Sequence, residues 1–382
     1  MSAKVLFYVQ HLLGIGHVVR SSRIARALVR ADFQVTIAYG GKPLEGVDWG
    51  GAQCIQLPAV SSGPVGFGTL ADGDGNPVTD DLKAKRKAKL LDLFTAAKPD
   101  VLLIEAYPFA RRIMRFELVP LLTAARKSDP QPLIAASIRD ILQEGRKPER
   151  IGETRQLVED YFDAVLVHGL EAFAPLSLSF PEAHLISDKL HYTGWVGPER
   201  RDASAGEAFD VIVSAGGGAV GAELFEAALG VRAGSDFSDG KWLVLTGPNL
   251  SDEAFEALSN RLPQFVTLER FRADLPALMR RAQVSVSQAG YNTVADLQSA
   301  GCRAVLVPYS TDGETEQNRR AEILAQQQRA VVVHQQDLSV NTLSDAIIQA
   351  LALPAPASAE VLDGAQRSAS ILRELLSRKL AS

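Results

Sequence analysis

Two glycine-rich turns and one histidine are the residues of this chain whose types and spacing could do chemistry. His17 follows Gly14 and Gly16 and stands where a helix is expected to begin. An imidazole in that position can take a proton from a hydroxyl group, although a histidine at a helix start can equally cap the helix or lie in solvent. A second turn, Gly216 to Gly221, has the GxGxxG spacing whose backbone amides receive phosphate groups.

A third polar region begins after the apolar run 283–286. Gly290 allows a tight turn there, and Asn292 or Thr293 is predicted to cap a helix over 294–300. Gly301 is predicted to end that helix in the left-handed conformation. The pattern therefore predicts a strand, a turn and a short helix whose N-terminus follows the strand directly.

A second unit of the same kind comes next. Residues 304–307 predict a buried strand, and a polar loop leads to a helix that starts at Glu316 and Gln317. Both helix N-termini should open toward one edge of a parallel sheet, the edge where such sheets bind ligands and where anions are favoured. Asp296 could accept from a ribose diol or be a solvated helix residue, and Glu316 and Gln317 could bond sugar hydroxyls.

The elements that must position these residues form two βα series joined by a linker over 192–208. Each series starts with a short apolar strand that runs into one of the glycine turns. The predicted strands are 5–9, 34–38, 101–104, 133–136, 164–167, 210–214, 241–246, 265–268, 283–286, 304–307 and 331–333. The predicted helices are 17–30, 82–97, 111–126, 221–229, 274–281, 294–300, 340–351 and 359–380, besides the one that starts at Glu316.

Charged residues also follow strands of the first series. Glu105, Arg139 and Asp140 are predicted just beyond strand ends, where ligand sites of α/β folds lie. They are candidates for contacts to an acceptor, and a carboxylate beside an arginine is equally a structural ion pair.

The segment 61–81 has no periodicity and is predicted to be a long mobile loop. Its Asp72-Gly-Asp74 superficially matches a metal-binding pattern. Because Pro77 and Lys83 stand where a calcium loop needs Gly and Glu, we expect a solvated turn and no metal. The helix that follows carries a basic face, which is either a charged outer surface or a contact for an anionic acceptor or lipid. Its basic residues are Lys83, Lys85, Arg86, Lys87 and Lys89.

Length and composition limit the class of protein. The 382 residues are enough for two domains, and the net charge of -5 argues against a general nucleic-acid binder. Cys54 and Cys302 lie in apolar runs and are expected to be reduced core residues. No apolar run reaches the roughly 20 residues of a membrane span, and the N-terminus lacks a signal-peptide pattern. A cytoplasmic location is therefore expected.

The segment 287–321 resembles the donor-binding segment of inverting GT-B glycosyltransferases, most nearly the family 28 N-acetylglucosaminyltransferase of peptidoglycan synthesis and its relatives. Gly301, Pro308 and Gln317 match the family pattern directly. Thr293 and Asp296 stand where that family has Thr and Glu. Glu316 stands where Gln or Asp is common.

The resemblance implies roles for residues of both halves. The spacing of Gly14, Gly16 and His17 resembles the first loop of the same family, whose histidine is a proposed base. Together with Arg20 it also resembles the GxGHxxR of the UDP-sugar hydrolase of pseudaminic acid synthesis. The remaining implied donor contacts are Ser214, Gly216, Gly217 and Gly218 at the diphosphate, the backbone of Arg272 at the base, and Gly290 at the turn. An arginine that relatives use on the donor phosphate has no definite counterpart, and Arg200, Arg201 and Arg272 are candidates.

The fold implied is α/β of the GT-B class, two Rossmann-like domains facing across a cleft. The expected bounds are 1–192 on the acceptor side, 193–354 on the donor side, and 355–382 as a helix returning to the first domain. The implied activity is inverting, metal-independent transfer of a sugar from a nucleotide diphosphate sugar, with uridine as the expected nucleoside, to a hydroxyl acceptor. The sugar donor is a co-substrate, and no cofactor is expected.

The partners expected are this donor and an unidentified acceptor, for which an anionic or lipid-linked compound and a peripheral contact with the inner face of the membrane are considered. Three alternatives remain open: a nucleotide-sugar hydrolase or epimerase on the same fold, a catalytically silent sugar-nucleotide sensor or scaffold, and a NAD enzyme. The strand 241–246 ends in Thr-Gly-Pro and lacks the acidic residue that binds a ribose, which argues against NAD.

Overall fold

The structure, a computed structural model, describes residues 2–12, 14–63, 66–145, 147–198, 207–216, 221–234, 239–247, 250–310, 315–354 and 362–381. The chain forms two compact units. The N-terminal unit comprises Met1–Leu142, Arg146–Val196 and Asp363–Ser382, and the C-terminal unit comprises Gln143–Gly145 and Gly197–Leu362.

The N-terminal unit is built on a parallel sheet of seven strands in the order β3-β2-β1-β6-β7-β8-β9. Its elements are β1 Lys4–Val9, α1 Gly16–Arg30, β2 Gln34–Tyr39, β3 Gln53–Gln56, β4 Ser61–Gly63, β5 Gly66–Ala71, α2 Asp80–Ala97, β6 Val101–Glu105, α3 Arg115–Lys127, β7 Leu133–Arg139, α4 Pro148–Tyr161, β8 Ala164–His168 and β9 Leu190–Tyr192. The strand order reverses between β1 and β6. At such a reversal the loops leave the sheet in opposite directions and open a crevice at the carboxyl ends of the strands.

The C-terminal unit has a parallel sheet of six strands in the order β12-β11-β10-β13-β14-β15. Its elements are β10 Val211–Ser214, α5 Ala222–Gly234, β11 Trp242–Leu245, α6 Asp252–Ser259, β12 Val266–Glu269, α7 Leu275–Arg281, β13 Val284–Ser287, α8 Tyr291–Ala300, β14 Ala304–Leu306, α9 Glu316–Gln326, β15 Ala330–Val332 and α10 Val340–Ala352. This is the Rossmann order, with its reversal between β10 and β13.

The strands are apolar because both faces of each sheet are covered. In β1, Leu6 and Tyr8 pack on the side of α2, α3 and α4, whereas Val5, Phe7 and Val9 pack on the side of α1. The last helix, α11 Gly364–Ala381, closes this second side.

Close backbone contact holds the start of α11 on the N-terminal unit. The Gly364 amide donates to the carbonyl of Trp195, and a Cβ at Gly364 would lie 2.4 Å from the carbonyl oxygen of Gly194. Only glycine fits at this position, so its substitution would lift the helix from the unit.

The prediction of a long structureless loop over 61–81 is wrong. Strands β4 and β5 pair as an antiparallel hairpin, and α2 already begins at Asp80 behind its cap Thr79. The hairpin is rich in glycine and serine, so its composition hid the pairing. The expected turn at Asp72 is confirmed, since its Oδ1 accepts from the amides of Asp74 and Asn76, each at 2.9 Å.

Arg86 does not belong to the exposed basic face that its neighbours predicted. Its side chain is fully buried and forms an ion pair with the buried Glu117 at 2.7 Å. All five of its N–H groups are used, because it also donates to Gln10 and to the carbonyls of Gly40 and Pro58. Tyr8 donates to the same carboxylate at 2.6 Å. Removing one partner of such a pair typically costs about 3–5 kcal/mol.

Several smaller expectations also change. Cys54 is exposed on β3 and is not a core residue, whereas Cys302 is buried as expected. The helix predicted from Arg111 begins as a short 3₁₀ turn, Arg112–Met114, before α3. Within the described residues, no helix is both long and apolar enough to cross a membrane.

Candidate active site

His17 and Glu105 meet at the strand-order reversal of the N-terminal unit. His17 lies in the first turn of α1, which follows β1, and Glu105 is the last residue of β6. His17 Nδ1 lies 2.5 Å from Glu105 Oε1. The carboxylate is fully buried, whereas 20% of the histidine side chain remains exposed. The prediction had Glu105 just beyond its strand; it ends the strand instead, beside β1.

Arg20 completes this cluster from the next turn of α1. Its Nη2 donates to the same Oε1 of Glu105 at 2.7 Å, and its side chain is buried. The GxGHxxR spacing thus places His17 and Arg20 on one side of the helix, three residues apart, where both reach the carboxylate. The pairing of His17 with Glu105, 88 positions later, is what the sequence did not show.

Burial and charge set the protonation of this pair. Loss of water lowers the pKa of His17 to about 4, because burial outweighs the attraction of the Glu105 carboxylate. Burial by itself would raise the pKa of Glu105, but His17 and the guanidinium groups of Arg20 and Arg111 outweigh it and bring that pKa to about 2. At pH 7 the carboxylate is therefore ionised and the imidazole is neutral.

The tautomer of His17 follows from this charge state. An ionised carboxylate only accepts hydrogen bonds, so the proton of the 2.5 Å contact belongs to Nδ1. Nε2 then carries the lone pair and can accept a proton, and the carboxylate would stabilise the imidazolium that forms. The arrangement is that of an oriented general base.

Arg111 stands beside this pair in an uncommon backbone conformation. Its φ is 60°, a left-handed value that costs a residue with a side chain about 1–2 kcal/mol. Its Nε donates to the carbonyl of Gln10 at 3.2 Å, so it ties the segment after β6 to the segment after β1. Gln10 is itself held by Arg86, and the buried core thereby supports the loop that precedes His17.

Two further residues predicted for the acceptor side lie at the end of β7, the strand next to β6. Arg139 ends β7 and is half-buried, and Asp140 follows it and is buried. Gly169 packs against Asp140, since a Cβ there would lie 2.6 Å from the Asp140 Cβ. Of the predicted loop glycines, Gly14 is exposed and Gly16 begins α1.

His168 is a buried polar residue near the dyad that the sequence did not indicate as part of the site. It ends β8, is fully buried, and links Ser137 to Thr193 through contacts of 2.8 and 2.9 Å at its two ring nitrogens. Burial lowers its pKa well below the usual value, with Arg20 acting in the same direction. Ser137 pairs with Glu105 in the sheet, so this neutral histidine braces the strand next to the dyad. The sequence signal for His168 was its position directly after the apolar run 164–167.

The strand-order reversal of the C-terminal unit brings two glycine turns to one hydroxyl group. Gly216 follows β10 with φ 71°, and Gly290 follows β13 at the start of α8. A Cβ built on either glycine would lie 3.9 Å from Thr293 Oγ1. The predicted cap is wrong, because Gly290 is the N-cap and no side chain caps α8. The hydroxyl of Thr293 is thus not used as a cap.

Backbone and side chains also pack closely at the end of β10. Ser214 is buried, and its Oγ accepts from the amide of Gly216 at 3.3 Å. A Cβ at Gly221 would lie 2.4 Å from the Cβ of Ala215, so this glycine lets α5 pack against the turn. Gly217 and Gly218, two of the predicted phosphate contacts, lie outside the described residues, as do Arg200 and Arg201.

Gln317 joins the loops after β13 and β14. Its Oε1 accepts from the amides of Ala289 and Tyr309 at 3.1 and 3.2 Å, so its Nε2 is the group oriented to donate elsewhere. Glu316 is buried in the first turn of α9, and Asp296 is half-buried in α8. The expected pair of helix starts at neighbouring strand ends is therefore present.

Arg272 is held by carboxylates of its own unit. It forms ion pairs with Glu207, Glu269 and Asp274 at 2.9 to 3.1 Å. The hydrogen bonds to Asp274 make the largest contribution to the raised pKa of Arg272. Its side chain is therefore committed to a structural network, and its backbone remains the part available to a ligand.

Comparison with known proteins finds a family model and curated relatives that match part of the chain. The glycosyltransferase family 28 C-terminal domain matches residues 212–372. The UDP-N-acetylglucosamine--N-acetylmuramyl-(pentapeptide) pyrophosphoryl-undecaprenol N-acetylglucosamine transferase of Synechococcus elongatus is 31% identical over 175 residues, which cover 42% of this chain and 48% of that protein. The chain spans about half the length of the curated relatives it matches.

Solved structures extend the likeness to the whole chain. The glycotransferase of kitacinnamycin has a TM-score of 0.61 at 17% identity, and the alignment covers 99% of this chain and 96% of that structure's chain. MurG of Acinetobacter baumannii has a TM-score of 0.59 at 15% identity, and the alignment covers 97% of this chain and 99% of MurG. These likenesses establish the fold. The chain has the α/β fold of GT-B glycosyltransferases with two Rossmann-like units, and its residues 212–372 match the glycosyltransferase family 28 C-terminal domain.

Proposed function

We propose that the protein transfers a sugar from a nucleotide diphosphate sugar to a hydroxyl group of an acceptor, with His17 as the general base. The observation that carries this proposal is the 2.5 Å contact between His17 and the buried Glu105. It supports the proposal because the same chain carries a family 28 domain over residues 212–372.

The base would act through Nε2 of His17. As the acceptor hydroxyl attacks the anomeric carbon of the donor, its proton passes to Nε2, and the charge of Glu105 stabilises the imidazolium. Such a base typically contributes about 10²–10⁴-fold to the rate. On leaving, the nucleoside diphosphate takes the electron pair of the broken glycosidic bond.

The donor diphosphate would lie at the two glycine turns of the C-terminal unit. The first amides of α8 have no partner within the helix and favour an anion. The hydroxyl of Thr293, near both Gly216 and Gly290, would donate to the diphosphate. Amides fixed in this way stabilise the charge that develops on the leaving group. Gly217, Gly218 and Ser214 would belong to the same cradle.

The rest of the donor would be read by α8, α9 and the segment after β12. Asp296 would accept from the ribose, Gln317 would donate through Nε2 to the sugar, and Glu316 would help to orient it. The backbone of Arg272 would read the base. The relative from Synechococcus elongatus is named as a UDP-N-acetylglucosamine transferase, which favours uridine as the nucleoside.

We infer that the transfer inverts the anomeric centre and needs no metal ion. A single attack of an activated hydroxyl opposite the leaving group reverses the configuration. Amides and hydroxyls would take the place of a cation at the diphosphate. An α-linked donor should therefore yield a β-linked product by NMR, and the rate should survive EDTA.

The acceptor is proposed to be anionic or lipid-linked, approached at the inner face of the membrane. The relative's printed name includes a pyrophosphoryl-undecaprenol acceptor, which supports this class of compound. Co-sedimentation of the protein with anionic vesicles would test the membrane contact.

The central experiment incubates the protein with UDP-sugars in the presence and absence of candidate acceptors. Transfer by the wild type and its loss in His17→Ala, with donor affinity kept, are the expected results. A nucleotide-sugar hydrolase would use the same base on water. Rapid stoichiometric release of sugar without an acceptor would establish hydrolysis and overturn the transferase.

A further inference from the structure

Arg111 is a charged residue beside the dyad for which the proposed mechanism has no use. It follows β6 by six residues and precedes the 3₁₀ turn Arg112–Met114. Its side chain is half-buried, and its Nε is held by the carbonyl of Gln10. The guanidinium is thereby fixed at the carboxyl edge of the sheet.

The negative charge that acts on Arg111 is shared with other groups. Oε1 of Glu105 contacts His17 and Arg20 at 2.5 and 2.7 Å, whereas its buried Oε2 has no hydrogen-bond partner among the described residues. Among the residues that the structure describes, no carboxylate forms an ion pair with Arg111. By contrast, the adjacent Arg112 pairs with Glu153 at 2.9 Å on the exposed side. A partly desolvated guanidinium without an ion pair is costly unless an anion joins it.

The other groups around the dyad sharpen the imbalance. Arg111 acts on both His11 and His17, and its positive charge helps to lower the pKa of each. Its own pKa is lowered by burial; the Glu105 carboxylate and Tyr8 oppose this, whereas the charges of Arg139 and Arg20 act in the same direction as burial. Two guanidinium groups, those of Arg111 and Arg20, therefore act on the base against the one carboxylate of Glu105.

We propose that Arg111 binds an anionic group of the acceptor, a phosphate or a carboxylate, next to the hydroxyl that His17 deprotonates. The proposal rests on the proposed role of His17. Since Nε is bonded to Gln10, the two Nη groups form the edge that would take two oxygens of the anion. Acceptors that carry an anion close to the reacting hydroxyl would be selected over neutral alcohols.

Anion binding at Arg111 would also change the base. Glu105, Arg20 and Arg111 are the charged groups that act on His17. Neutralising Arg111 removes one of the influences that lower the pKa of His17, so the pKa rises from about 4 toward the operating pH, where a general base works best. The acceptor would thus strengthen the base that activates it.

The test measures anion binding through the resonances of His17. The full chain, saturated with UDP to occupy the nucleotide site, is titrated with inorganic phosphate, acetate or chloride at constant ionic strength. Imidazole NMR signals are assigned with His17→Gln. We expect saturable shifts of His17 with phosphate or acetate and a rise in its pKa of about one unit, which is a tenfold change in protonation equilibrium.

Two variants and one matched control complete the test. Arg111→Gln should weaken anion binding at least tenfold. Arg111→Lys keeps the charge and should bind more tightly than Arg111→Gln, which guards against a misfolded variant. Arg112→Gln should bind as the wild type does.

Two results would overturn the proposal: neither anion shifts His17, or Arg111→Gln binds as tightly as the wild type. A response to phosphate alone or to acetate alone identifies the chemistry of the acceptor. Because the readout is a resonance of His17, anion binding and sugar transfer succeed or fail independently.

Discussion

The strand order reverses at equivalent places in the two units, but the residues at the two reversals differ in kind. In the N-terminal unit the reversal lies between β1 and β6 and carries ionisable side chains, His17, Arg20 and Glu105. In the C-terminal unit it lies between β10 and β13 and carries the glycine turns at Gly216 and Gly290. One reversal is suited to moving a proton and the other to holding an anion.

A strand-order reversal by itself supplies what is needed to hold an anion. Its crevice and its helix starts are properties of the backbone, so they suffice for a phosphate group. Proton transfer needs a side chain with a fixed tautomer, and Glu105 provides that at the cost of burying a carboxylate. Substitutions in the N-terminal unit should therefore change kcat, and those in the C-terminal unit should change donor affinity.

The largest effect is expected for His17→Ala. Loss of the general base should lower kcat by about 10²–10⁴-fold, because the imidazole is the group proposed to accept the proton. Donor affinity, measured by calorimetry with UDP, should stay within about twofold. A comparable loss of UDP affinity would contradict the division of work between the two reversals.

Glu105→Gln should come next. The amide keeps the size of the carboxylate and removes the charge that stabilises the imidazolium, so kcat should fall by about 10²-fold, the lower end of what a general base contributes. Glu153→Gln, at an exposed ion pair of the same unit, is the matched control and should be silent. If both variants behave alike, Glu105 does not orient the base.

Thr293→Val tests the other reversal with a smaller effect. Valine keeps the shape and removes one hydrogen bond to a charged group, so the Kd for UDP should rise by about tenfold with kcat little changed. Thr267→Val on the outer strand β12 is the control, with no expected change. A fall in kcat at unchanged Kd would place Thr293 in the chemistry instead.

The smallest effect is a dependence of stability on pH that belongs to the dyad. The folded pKa of His17 is about 4, below the ordinary 6.5, so between these values the unfolded chain binds a proton that the folded chain does not. Stability should therefore fall on acidification, by about 1 kcal/mol per pH unit and about 3 kcal/mol at most. Glu105, with a folded pKa of about 2, adds a loss of the same sign below pH 4.5.

Urea unfolding followed by circular dichroism at pH 7, 5.5 and 4.5 measures this dependence. His17→Gln lacks the histidine contribution, so its free energy of unfolding should change less between pH 7 and 4.5. Equal slopes for the two proteins would mean that His17 titrates normally.

The sequence predicted those parts of the fold that local pattern determines. Apolar runs such as 101–104 and 164–167 form buried parallel strands, and Gly301 ends α8 with φ 66° as expected. Elements without an apolar pattern were missed, among them β3 and the polar helix α4. Their positions are set by the sheet and helices on which they pack.

Long-range pairing explains why part of the candidate site stayed hidden. The spacing of His17 and Arg20 pointed to a base, but its partner Glu105 comes 88 positions later. Arg86 looked like a surface charge because its partner Glu117 lies 31 positions away. Among the described residues Arg111 has no carboxylate within ion-pair distance, and this too depends on long-range placement that no local pattern reveals.

The most direct measurement is the protonation state of His17 at pH 7, read from a ¹⁵N–¹H correlation spectrum of the imidazole groups with His17→Gln for assignment. We predict a neutral ring with the proton on Nδ1 and an unprotonated Nε2, and in Glu105→Gln this preference should weaken. A charged imidazolium, or a proton on Nε2, would contradict the assignment of His17 as the base.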